Sequence, residues 1–417
     1  MTNLESTTTK KTIAIVGQGY VGLPLAVAAA SAGWKVIGIE KSSTRVTSLN
    51  NAKSPVEDVS DGDLQRLIKE GTYSATSDPS AVATCEIVII CVPTPLSESR
   101  EPDISLLIQA VKDISPHLNQ RTLVISESTS YPGTLRDLII PLAEENSTQS
   151  AVEFFFASAP ERVNPGDKNW NMKNTPRLVG GIDEKSQELA VSFYRTFCDE
   201  VVPTSSPEIA EAAKLLENTF RMVNISLVLE LTQIFNKSGL SMNEVIDAAA
   251  TKPYGFMPFR PGVGIGGHCI PVDPLYLTWW ANKQGKQAEI VEKADQISQS
   301  MPMFIAQKAL GFVPDGVRSP SVLILGIAYK FGVSDVRETP VSLLKSNLEN
   351  LGAKVAWHDP LVSQWEGTKS SSLDSDIDVA IIATNQSGMD VKSIIDRGIP
   401  VLDCTNSFGH LPGVQVL

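Results

Sequence analysis

The stretch TIAIVGQGYVGLPLAVAAASAGWKVIGIEK, residues 12–41, decides the fold class of this chain. It opens with a short apolar run at 12–16, then passes through the glycine-rich turn GQGYVG and an alanine-rich segment. A second apolar run at 35–39 follows and ends at Glu40. This order of strand, turn, helix and strand is typical of a βαβ unit that binds a dinucleotide. The stretch therefore predicts an N-terminal Rossmann domain.

The glycines of this turn have separate physical roles. Gly17 permits the sharp turn from strand to helix, Gly19 lets the backbone approach a pyrophosphate, and Gly22 allows the helix to pack closely on the strand. The helix N-terminus offers N–H groups and a partial positive charge to the same phosphate. We expect the whole turn to contact the cofactor: Gly17, Gly19, Tyr20, Val21 and Gly22.

The residues after the second strand bear on which dinucleotide binds. Glu40 would accept hydrogen bonds from both ribose hydroxyls and repel a 2′-phosphate, which favours NAD over NADP. Lys41 and Arg45 follow closely, and either would serve a 2′-phosphate. The sequence predicts NAD as the cofactor, with these three residues beside it.

Length, charge and cysteine content bound the class of protein. At 417 residues the chain is too long for one core. Five cysteines without metal-ligand spacing argue against a disulfide framework and a metal site, and they favour a reducing cytoplasm. A net charge of −12 does not favour nucleic-acid binding. Neither a membrane span nor a signal peptide is expected.

Three further apolar runs extend the predicted parallel sheet: 86–95, 122–129 and 154–163. In an open parallel sheet the ligand lies at the carboxyl ends of the strands. We therefore expect Pro93, Thr94 and Thr129, which fall near the ends of two of these runs, at the cofactor site. A hydroxyl that caps the following turn is the alternative for both threonines.

The remaining chain divides into a helical part and a second α/β part. No Gly or Pro interrupts the helical pattern between Pro207 and Gly239, which predicts one long helix, and a shorter helix follows at 242–250. Strand patterns return near Arg318, without GxGxxG spacing. We predict an α/β protein with three domains: a Rossmann domain at 1–203, an all-helical domain at 204–312 and a Rossmann-like domain at 313–417.

Seven motifs, in this order, resemble those of the UDP-glucose/GDP-mannose dehydrogenase family. They are GQGYVGLPLA (17–26), VPTP (92–95), ESTSYPGT (127–134), ERVNPG (161–166), KLLENTFRMVNI (214–225), GVGIGGHCIPVDP (262–274) and GIAYKFGVSDVRETP (326–340). The resemblance implies a soluble enzyme that oxidises the C6 alcohol of a nucleotide sugar to a carboxylate with two NAD. It also implies that the third domain binds the UDP-sugar.

The residues around the cysteine resemble the branch of this family that acts on UDP-N-acetylhexosamines. His268 precedes Cys269, and Val272 stands where the UDP-glucose branch typically carries a basic residue. The resemblance implies UDP-ManNAc or UDP-GlcNAc as the substrate and leaves the epimer open, with UDP-glucose as the alternative. The product would feed polysaccharide or other glycan synthesis.

The resemblance also implies the residues that carry the oxidation. Cys269 would be the nucleophile that holds a thiohemiacetal and then a thioester, on a flexible glycine loop. Lys214 and Asn218, one helical turn apart, would stabilise the oxyanion, and Asp273 would be the base. A solvated surface lysine and a turn-forming aspartate are the alternatives for Lys214 and Asp273.

Other residues are implied to act in hydrolysis and binding. Glu161 would activate the water that cleaves the thioester, and Thr129 would hold it, while Arg162 either contacts substrate or pairs with a carboxylate. Glu161, Lys214 and Asn218 would also contact the substrate, together with Arg221, Tyr254, Phe259, Arg260, Gly266 and Lys330. Arg337 would reach the cofactor. Core packing is an equal alternative for Tyr254 and Phe259. The family implies a homodimer, in which Arg260 or Arg337 would act in trans.

Two rival interpretations stay open at this point. A two-electron hydroxyacid or sugar-phosphate dehydrogenase would need neither Cys269 nor a third domain. A non-catalytic nucleotide-binding protein would be expected to have lost one of the six implied catalytic residues, all of which are present.

Overall fold

The computed structural model describes residues 11–147, 153–163, 169–409 and 411–417. The chain forms two compact units, one ending at Leu216 and the other beginning at Glu217. This boundary falls inside one helix of 31 residues, Pro207–Lys237. That helix confirms the long helix predicted between Pro207 and Gly239. None of the described helices combines the length and hydropathy needed to cross a bilayer.

The strands of the described residues follow in chain order. They are β1 (Thr12–Val16), β2 (Lys35–Ile39), β3 (Tyr73–Thr76), β4 (Ile87–Ile90), β5 (Leu123–Ser126), β6 (Phe155–Ser158), β7 (Arg177–Gly181), β8 (Val201–Pro203), β9 (Ser321–Leu325), β10 (Lys354–His358), β11 (Gln364–Trp365), β12 (Thr368–Lys369), β13 (Val379–Ile382), β14 (Val401–Asp403) and β15 (Val414–Val416).

The helices lie between these strands and in the middle of the chain. They are α1 (Gly22–Ser31), α2 (Ser43–Asn50), α3 (Asp61–Lys69), α4 (Ser105–Ile114), α5 (Ile140–Asn146), α6 (Glu184–Tyr194), α7 (Pro207–Lys237), α8 (Met242–Ala250), α9 (Asp273–Lys283), α10 (Glu289–Leu310), α11 (Pro340–Asn350) and α12 (Val391–Asp396). Helix α8 confirms the predicted second helix at 242–250.

The first unit is built on one sheet with the strand order β3-β2-β1-β4-β5-β6-β7-β8. Neighbouring strands are parallel except for the β6–β7 pair, which is antiparallel. Both faces are covered: Ile13 and Ile15 pack in one apolar cluster, and Ala14 and Val16 pack in another. Such burial on both faces explains the unbroken apolar runs of the sequence. The predicted N-terminal Rossmann fold is confirmed.

The second unit contains a smaller parallel sheet with the order β10-β9-β13-β14-β15. Its central strand β9 is also buried on both faces, because Val322 and Ile324 belong to one cluster and Leu323 and Leu325 to another. The predicted second α/β region is thereby confirmed. The predicted boundaries of the three domains stay a prediction.

Several strands are shorter than the sequence pattern predicts. The run 86–95 forms a strand only at β4, which ends at Ile90, and Pro93 and Pro95 further along the run carry no N–H that could extend the ladder. The polar residues at the ends of these runs therefore lie in loops that follow the strands. The sequence interpretation did not name strands β3, β7, β8, β11, β12 and β15, nor helices α2 to α6, α9, α10 and α12.

A buried glutamate on α7 ties this helix to the first unit. Both carboxylate oxygens of Glu211 accept backbone N–H groups, from Gly133 at 2.7 Å and from Leu135 at 3.2 Å. Burial raises the pKa of Glu211 to about 7. This pKa exceeds the ordinary value of 4.5, so the folded chain binds more protons than the unfolded chain between these two values.

We therefore expect the Glu211 contribution to stability to be fully present below pH 4.5 and to fall as the pH rises through about 7. The variant Glu211→Gln cannot titrate. We expect the melting temperature of the wild type minus that of Glu211→Gln to decrease as the pH is raised from pH 5 to pH 8. Glu208→Gln is the control. Glu208 is partly exposed, its carboxylate lies 2.7 Å from the guanidinium of Arg136, and its pKa is lowered rather than raised. A difference that stays constant for Glu211→Gln would contradict this expectation.

Candidate active site

The glycines of the first turn are required by close contacts. Gly17 has a φ of +92°, and a Cβ placed on it would lie 2.5 Å from the carbonyl oxygen of Cys91. A Cβ on Gly22 would lie 1.9 Å from the carbonyl oxygen of Gly17. A Cβ on Gly19 would meet no atom within 4 Å, so that side of the turn is open. No side chain caps the N-terminus of α1 at Val21. The turn therefore fits the pyrophosphate of a dinucleotide.

Glu40 follows β2 and is buried. Its carboxylate accepts N–H groups from Gln18 at 3.2 Å and from Ser42 at 3.0 Å. The guanidinium of Arg45 lies 3.3 Å from the same carboxylate, whereas Lys41 is exposed. Arg45 thus forms an ion pair with Glu40 in this structure.

Gln18 is a residue of this turn that the sequence reading did not single out. It is fully buried, and its side chain donates to the carbonyl of Ile15 at 2.8 Å and accepts from the hydroxyl of Tyr73 at 2.9 Å. These contacts join the turn to β1 and β3. The glutamine at the second position of GQGYVG therefore holds the turn against strands β1 and β3.

The loops after β4 and β5 are joined to each other. The hydroxyl of Thr94 donates to the carbonyl of Thr129 at 2.6 Å, and the hydroxyl of Ser128 donates to the carbonyl of Val92 at 2.8 Å. Thr94 is buried, and Thr129 is half-buried beside it; Pro93 is exposed. Thr94 thus joins two loops at the carboxyl edge of the sheet.

Glu161 lies in the loop after β6 and is buried. Its carboxylate accepts the backbone N–H of Val163. The guanidinium of Arg162 donates to the carbonyl of Pro176 at 2.9 Å, which connects this loop to the start of β7. The rest of the ERVNPG motif, residues 164–166, lies outside the described residues.

Helix α7 buries the two residues of the KLLEN motif that the resemblance implicates. Lys214 is 7% exposed and Asn218 is 8% exposed, and they lie one turn apart on the same face. Lys214 is therefore not a solvated surface lysine. Arg221, three residues after Asn218, is exposed.

The cysteine loop leads directly into helix α9. Among the cysteines, Cys269 is exposed and the other four are buried. The N–H of Asp273, the first residue of α9, donates to the carbonyl of Cys269 at 2.8 Å. The amide of Asn218 donates to the carboxylate of Asp273 at 2.6 Å. The structure thus brings Cys269, Asp273 and Asn218 together.

The glycines before Cys269 permit close packing. A Cβ on Gly266 or on Gly267 would lie 2.8 Å from atoms of Tyr329, and Gly267 has a φ of +89°. Ile265 donates its N–H to the hydroxyl of Ser298 at 3.0 Å. The loop was expected to use its glycines for flexibility. The structure shows that they let the loop lie against the aromatic ring of Tyr329.

A cavity of about 360 Å³ lies beside this loop in the second unit. It is lined by residues 261–264 and by the loops that follow β9, β13 and β14, which is the carboxyl edge of the smaller sheet. Lys330 is in the lining and is half-buried. Arg260 and Arg337 are not among the described residues that line it.

Two buried side chains that the sequence reading missed shape this cavity. Gln386 accepts the N–H of Gly332 at 2.8 Å and donates to the carbonyl of Lys330 at 3.2 Å. The carboxylate of Asp359 accepts N–H groups from Ile327 at 2.9 Å, from Ala328 at 3.3 Å and from Leu361 at 2.9 Å. Neither residue carries a sequence signal beyond its position after a strand.

The remaining predicted residues lie elsewhere on the second unit. Arg260 pairs with Asp247 and donates to the carbonyl of Asn243 at 3.2 Å. Two nitrogens of the Arg337 guanidinium donate to the carboxylate of Asp335, with an Nη2 to Oδ2 distance of 2.6 Å. The ring of Phe259 packs edge-on against the ring of Phe220, with 6.0 Å between the ring centres. Tyr254 is 74% exposed.

Three domain models of one family match the chain in order. They are the NAD binding domain of the UDP-glucose/GDP-mannose dehydrogenase family at residues 11–198, its central domain at 208–300 and its UDP binding domain at 323–408. The turn that fits a pyrophosphate lies in the first of these regions, the cysteine loop in the second, and much of the cavity wall in the third. The chain belongs to the UDP-glucose/GDP-mannose dehydrogenase family, whose members are NAD-dependent oxidoreductases.

Individual relatives place the chain near one branch of this family. It is 36% identical to UDP-N-acetyl-D-glucosamine 6-dehydrogenase of Pseudomonas aeruginosa, over 84% of this chain and 83% of that protein. It is 33% identical to UDP-N-acetyl-D-mannosamine dehydrogenase of Methanocaldococcus jannaschii, over 86% and 81%. The solved structure of UDP-D-ManNAc dehydrogenase of Pyrococcus horikoshii superposes with a TM-score of 0.88 at 31% identity, over 97% of this chain and 98% of that one.

The Glu40–Arg45 pair predicts how the choice of cofactor can be changed. Glu40→Gln keeps an oxygen that accepts N–H groups but removes the charge, which leaves Arg45 and Lys41 to attract a 2′-phosphate. A charge-assisted hydrogen bond contributes about 1.5–3 kcal/mol, so we expect the ratio of kcat/KM for NADP to that for NAD to rise by about tenfold or more.

Steady-state kinetics with both cofactors measures this ratio. The control is the double variant Glu40→Gln/Arg45→Gln, which should show a smaller gain because only Lys41 remains to attract the 2′-phosphate. An unchanged ratio in Glu40→Gln would show that Glu40 does not select the cofactor.

Proposed function

We propose that this chain oxidises the C6 hydroxyl of a UDP-N-acetylhexosamine, UDP-ManNAc or UDP-GlcNAc, to the carboxylate with NAD. The observation that carries the proposal is an exposed Cys269 in the loop that leads into a helix whose first residue, Asp273, is hydrogen-bonded to the buried Asn218. The relatives named above act on these two sugars according to their names, and His268 and Val272 favour the same branch. UDP-glucose is the alternative substrate.

Oxidation of an alcohol to an acid removes four electrons, and an aldehyde lies between the two steps. NAD, held by the turn from Gly17 to Gly22, would supply the hydride acceptor, with one molecule of NAD consumed in each of the two oxidations. The thiolate of Cys269 adds to the aldehyde carbon and forms a thiohemiacetal, whose oxidation leaves a thioester on the same sulfur. The adduct also keeps the reactive aldehyde attached to the protein. This role fits the exposed cysteine and not the four buried ones.

Three residues would move protons and stabilise charge during these steps. Lys214, buried on α7, would stabilise the alkoxide and the oxyanion of the thiohemiacetal. Asn218 would hold the carboxylate of Asp273 in place through the 2.6 Å hydrogen bond. Asp273 would accept the proton of the C6 hydroxyl, directly or through a water molecule.

Hydrolysis completes the reaction. The oxygen of a water molecule attacks the thioester carbonyl, the carbon–sulfur bond breaks, and the thiolate of Cys269 leaves. Glu161 would accept a proton from this water and Thr129 would orient it. The buried position of Glu161 in a loop after a parallel strand supports this role.

The binding roles follow the domains of the family. The turn from Gly17 to Gly22, with Glu40 and Thr94, would hold NAD. The cavity beside the cysteine loop, with Lys330, would take the UDP group, while Arg162, Arg221, Tyr254, Phe259 and Gly266 would surround the sugar. Arg260 and Arg337 would act on phosphates after exchanging their present carboxylate partners. A cytoplasmic location and a role in polysaccharide biosynthesis accompany this proposal.

A homodimer is part of the same proposal. Phe220, Leu227 and Ile234 recur every seven residues on α7, and each is about half exposed, at 47%, 51% and 53%. A row of exposed apolar side chains at this spacing is typical of a helix that packs against another helix. A second copy of α7 would cover it.

Substrate and mechanism are tested together by measuring NADH formation with UDP-ManNAc, UDP-GlcNAc, UDP-GalNAc and UDP-glucose. We expect two NADH per molecule of one N-acetylhexosamine. Cys269→Ser should abolish the full four-electron stoichiometry, because a serine hydroxyl adds poorly to the aldehyde, while the buried-site control Cys85→Ala should retain it. Activity with UDP-glucose alone would contradict the proposed substrate, and full stoichiometry in Cys269→Ser would contradict the covalent mechanism.

The dimer is tested by light scattering after size-exclusion chromatography. Leu227→Glu places a charge in the apolar row, so we expect a monomer where the wild type is a dimer. Lys392→Glu reverses the charge of an exposed residue on α12, away from α7, and should stay dimeric. A dimer that is unaffected by Leu227→Glu would exclude this face as the interface.

A further inference from the structure

The first unit contains a buried ion pair that the proposed chemistry does not use. Glu127 and Arg177 lie 3.1 Å apart, and their side chains are 0% and 3% exposed. The hydroxyl of Tyr194 donates to the other carboxylate oxygen of Glu127 at 2.5 Å. The guanidinium of Arg177 also lies over the ring of Tyr194, 5.1 Å from its centre.

The pair holds two loops at the carboxyl edge of the sheet. Glu127 is the first residue after β5, two positions before Thr129. Arg177 also donates to the carbonyl of Ala159 at 3.3 Å, and Ala159 is the first residue after β6, two positions before Glu161. One guanidinium thus connects the base of the Thr129 loop to the base of the Glu161 loop.

Arg177 has a third contact that completes this arrangement. Its second terminal nitrogen lies 2.7 Å from the sulfur of Met172, in the chain segment that leads into β7. Arg162, beside Glu161, donates to the carbonyl of Pro176 in the same segment. The position of the Glu161 loop therefore depends on Arg177 and the residues just before it.

The stability of the fold does not by itself account for the buried charges of Glu127 and Arg177. Burial raises the pKa of Glu127, although Arg177 and Tyr194 act in the opposite direction. Buried ion pairs are often replaced by apolar residues without loss of stability. An apolar pair, however, would leave the carbonyl of Ala159 without this donor and would not join the two loops.

We propose that Glu127 and Arg177 are positioning residues for hydrolysis of the thioester. The pair sets the distance and orientation between the Thr129 and Glu161 loops and, once NAD is saturating, leaves the oxidation steps on Cys269 unaffected. The proposal rests on the proposed function, because it concerns the water that attacks the thioester.

The test separates oxidation from hydrolysis in Arg177→Lys. This variant keeps a positive charge, but its ammonium ends one atom short of the Nη1 nitrogen that contacts both Glu127 and the carbonyl of Ala159, and it has no second nitrogen for Met172. Rapid-mixing measurements with NAD and the active UDP-sugar should show the NADH burst at the wild-type rate. Steady-state turnover should fall by about 10- to 100-fold, since a misplacement of about 1 Å costs about that much. Intact-mass measurement should find the acyl group on the protein during turnover.

The control is Asp199→Asn, which removes the exposed Lys173–Asp199 pair of the neighbouring segment and should behave as the wild type. If Arg177→Lys does not fold, the double variant Glu127→Leu/Arg177→Met removes both charges and decides by the same measurements. Wild-type turnover, or equal loss of burst rate and turnover without acyl-enzyme, would overturn the positioning role. A wild type that forms no NADH with any UDP-sugar would instead contradict the proposed function.

Discussion

Gly17 has no space for a side chain, because a Cβ on it would lie 2.5 Å from the carbonyl oxygen of Cys91, the residue that follows the neighbouring strand β4. The backbone must therefore turn through a positive φ between β1 and α1. Gly22 then packs against the carbonyl of Gly17, which keeps the first turn of α1 close to the sheet. The N-terminus of α1 faces the carboxyl edge for this reason. The proposed positions of the cofactor and of the loops with Thr94, Thr129 and Glu161 all depend on that edge.

The second α/β sheet repeats this constraint. Gly326, after β9, has a φ of +78°, and a Cβ on it would lie 1.8 Å from the carbonyl of Thr384. Its N–H donates to the carbonyl of His358 at 2.8 Å, as the N–H of Gly17 donates to the carbonyl of Ile39 at 2.8 Å. The cavity lies at the carboxyl edge of this sheet as well. The same backbone geometry thus serves both α/β folds, although only the first carries the GxGxxG pattern.

The sequence predicted what depends on local pattern. GQGYVG, the long helix α7 and the alternating strands and helices were readable because periodicity and glycine spacing are properties of short segments. Strands β7 and β8 were missed because their pairing is set by distant residues, and Arg177 was missed for the same reason. Nothing near Arg177 in sequence indicates that it meets Glu127, fifty positions earlier. For the site, motif resemblance indicated Lys214 and Asn218, whereas their burial required the structure. The glycines before Cys269 were explained as flexible until the contact with Tyr329 was seen.

Asp359 occupies in the second sheet the place that Glu40 occupies in the first, since each follows the second strand of a βαβ unit. Glu40 shares its carboxylate with two amides and with the partly exposed Arg45, a partner that can move away. Asp359 is 2% exposed, and three amides of the chain use its carboxylate. Little capacity remains on Asp359 for a ribose hydroxyl. The two sheets thus differ at equivalent positions. A substitution of Glu40 would alter the preference between NAD and NADP, whereas a substitution of Asp359 would deform the loop that carries Lys330.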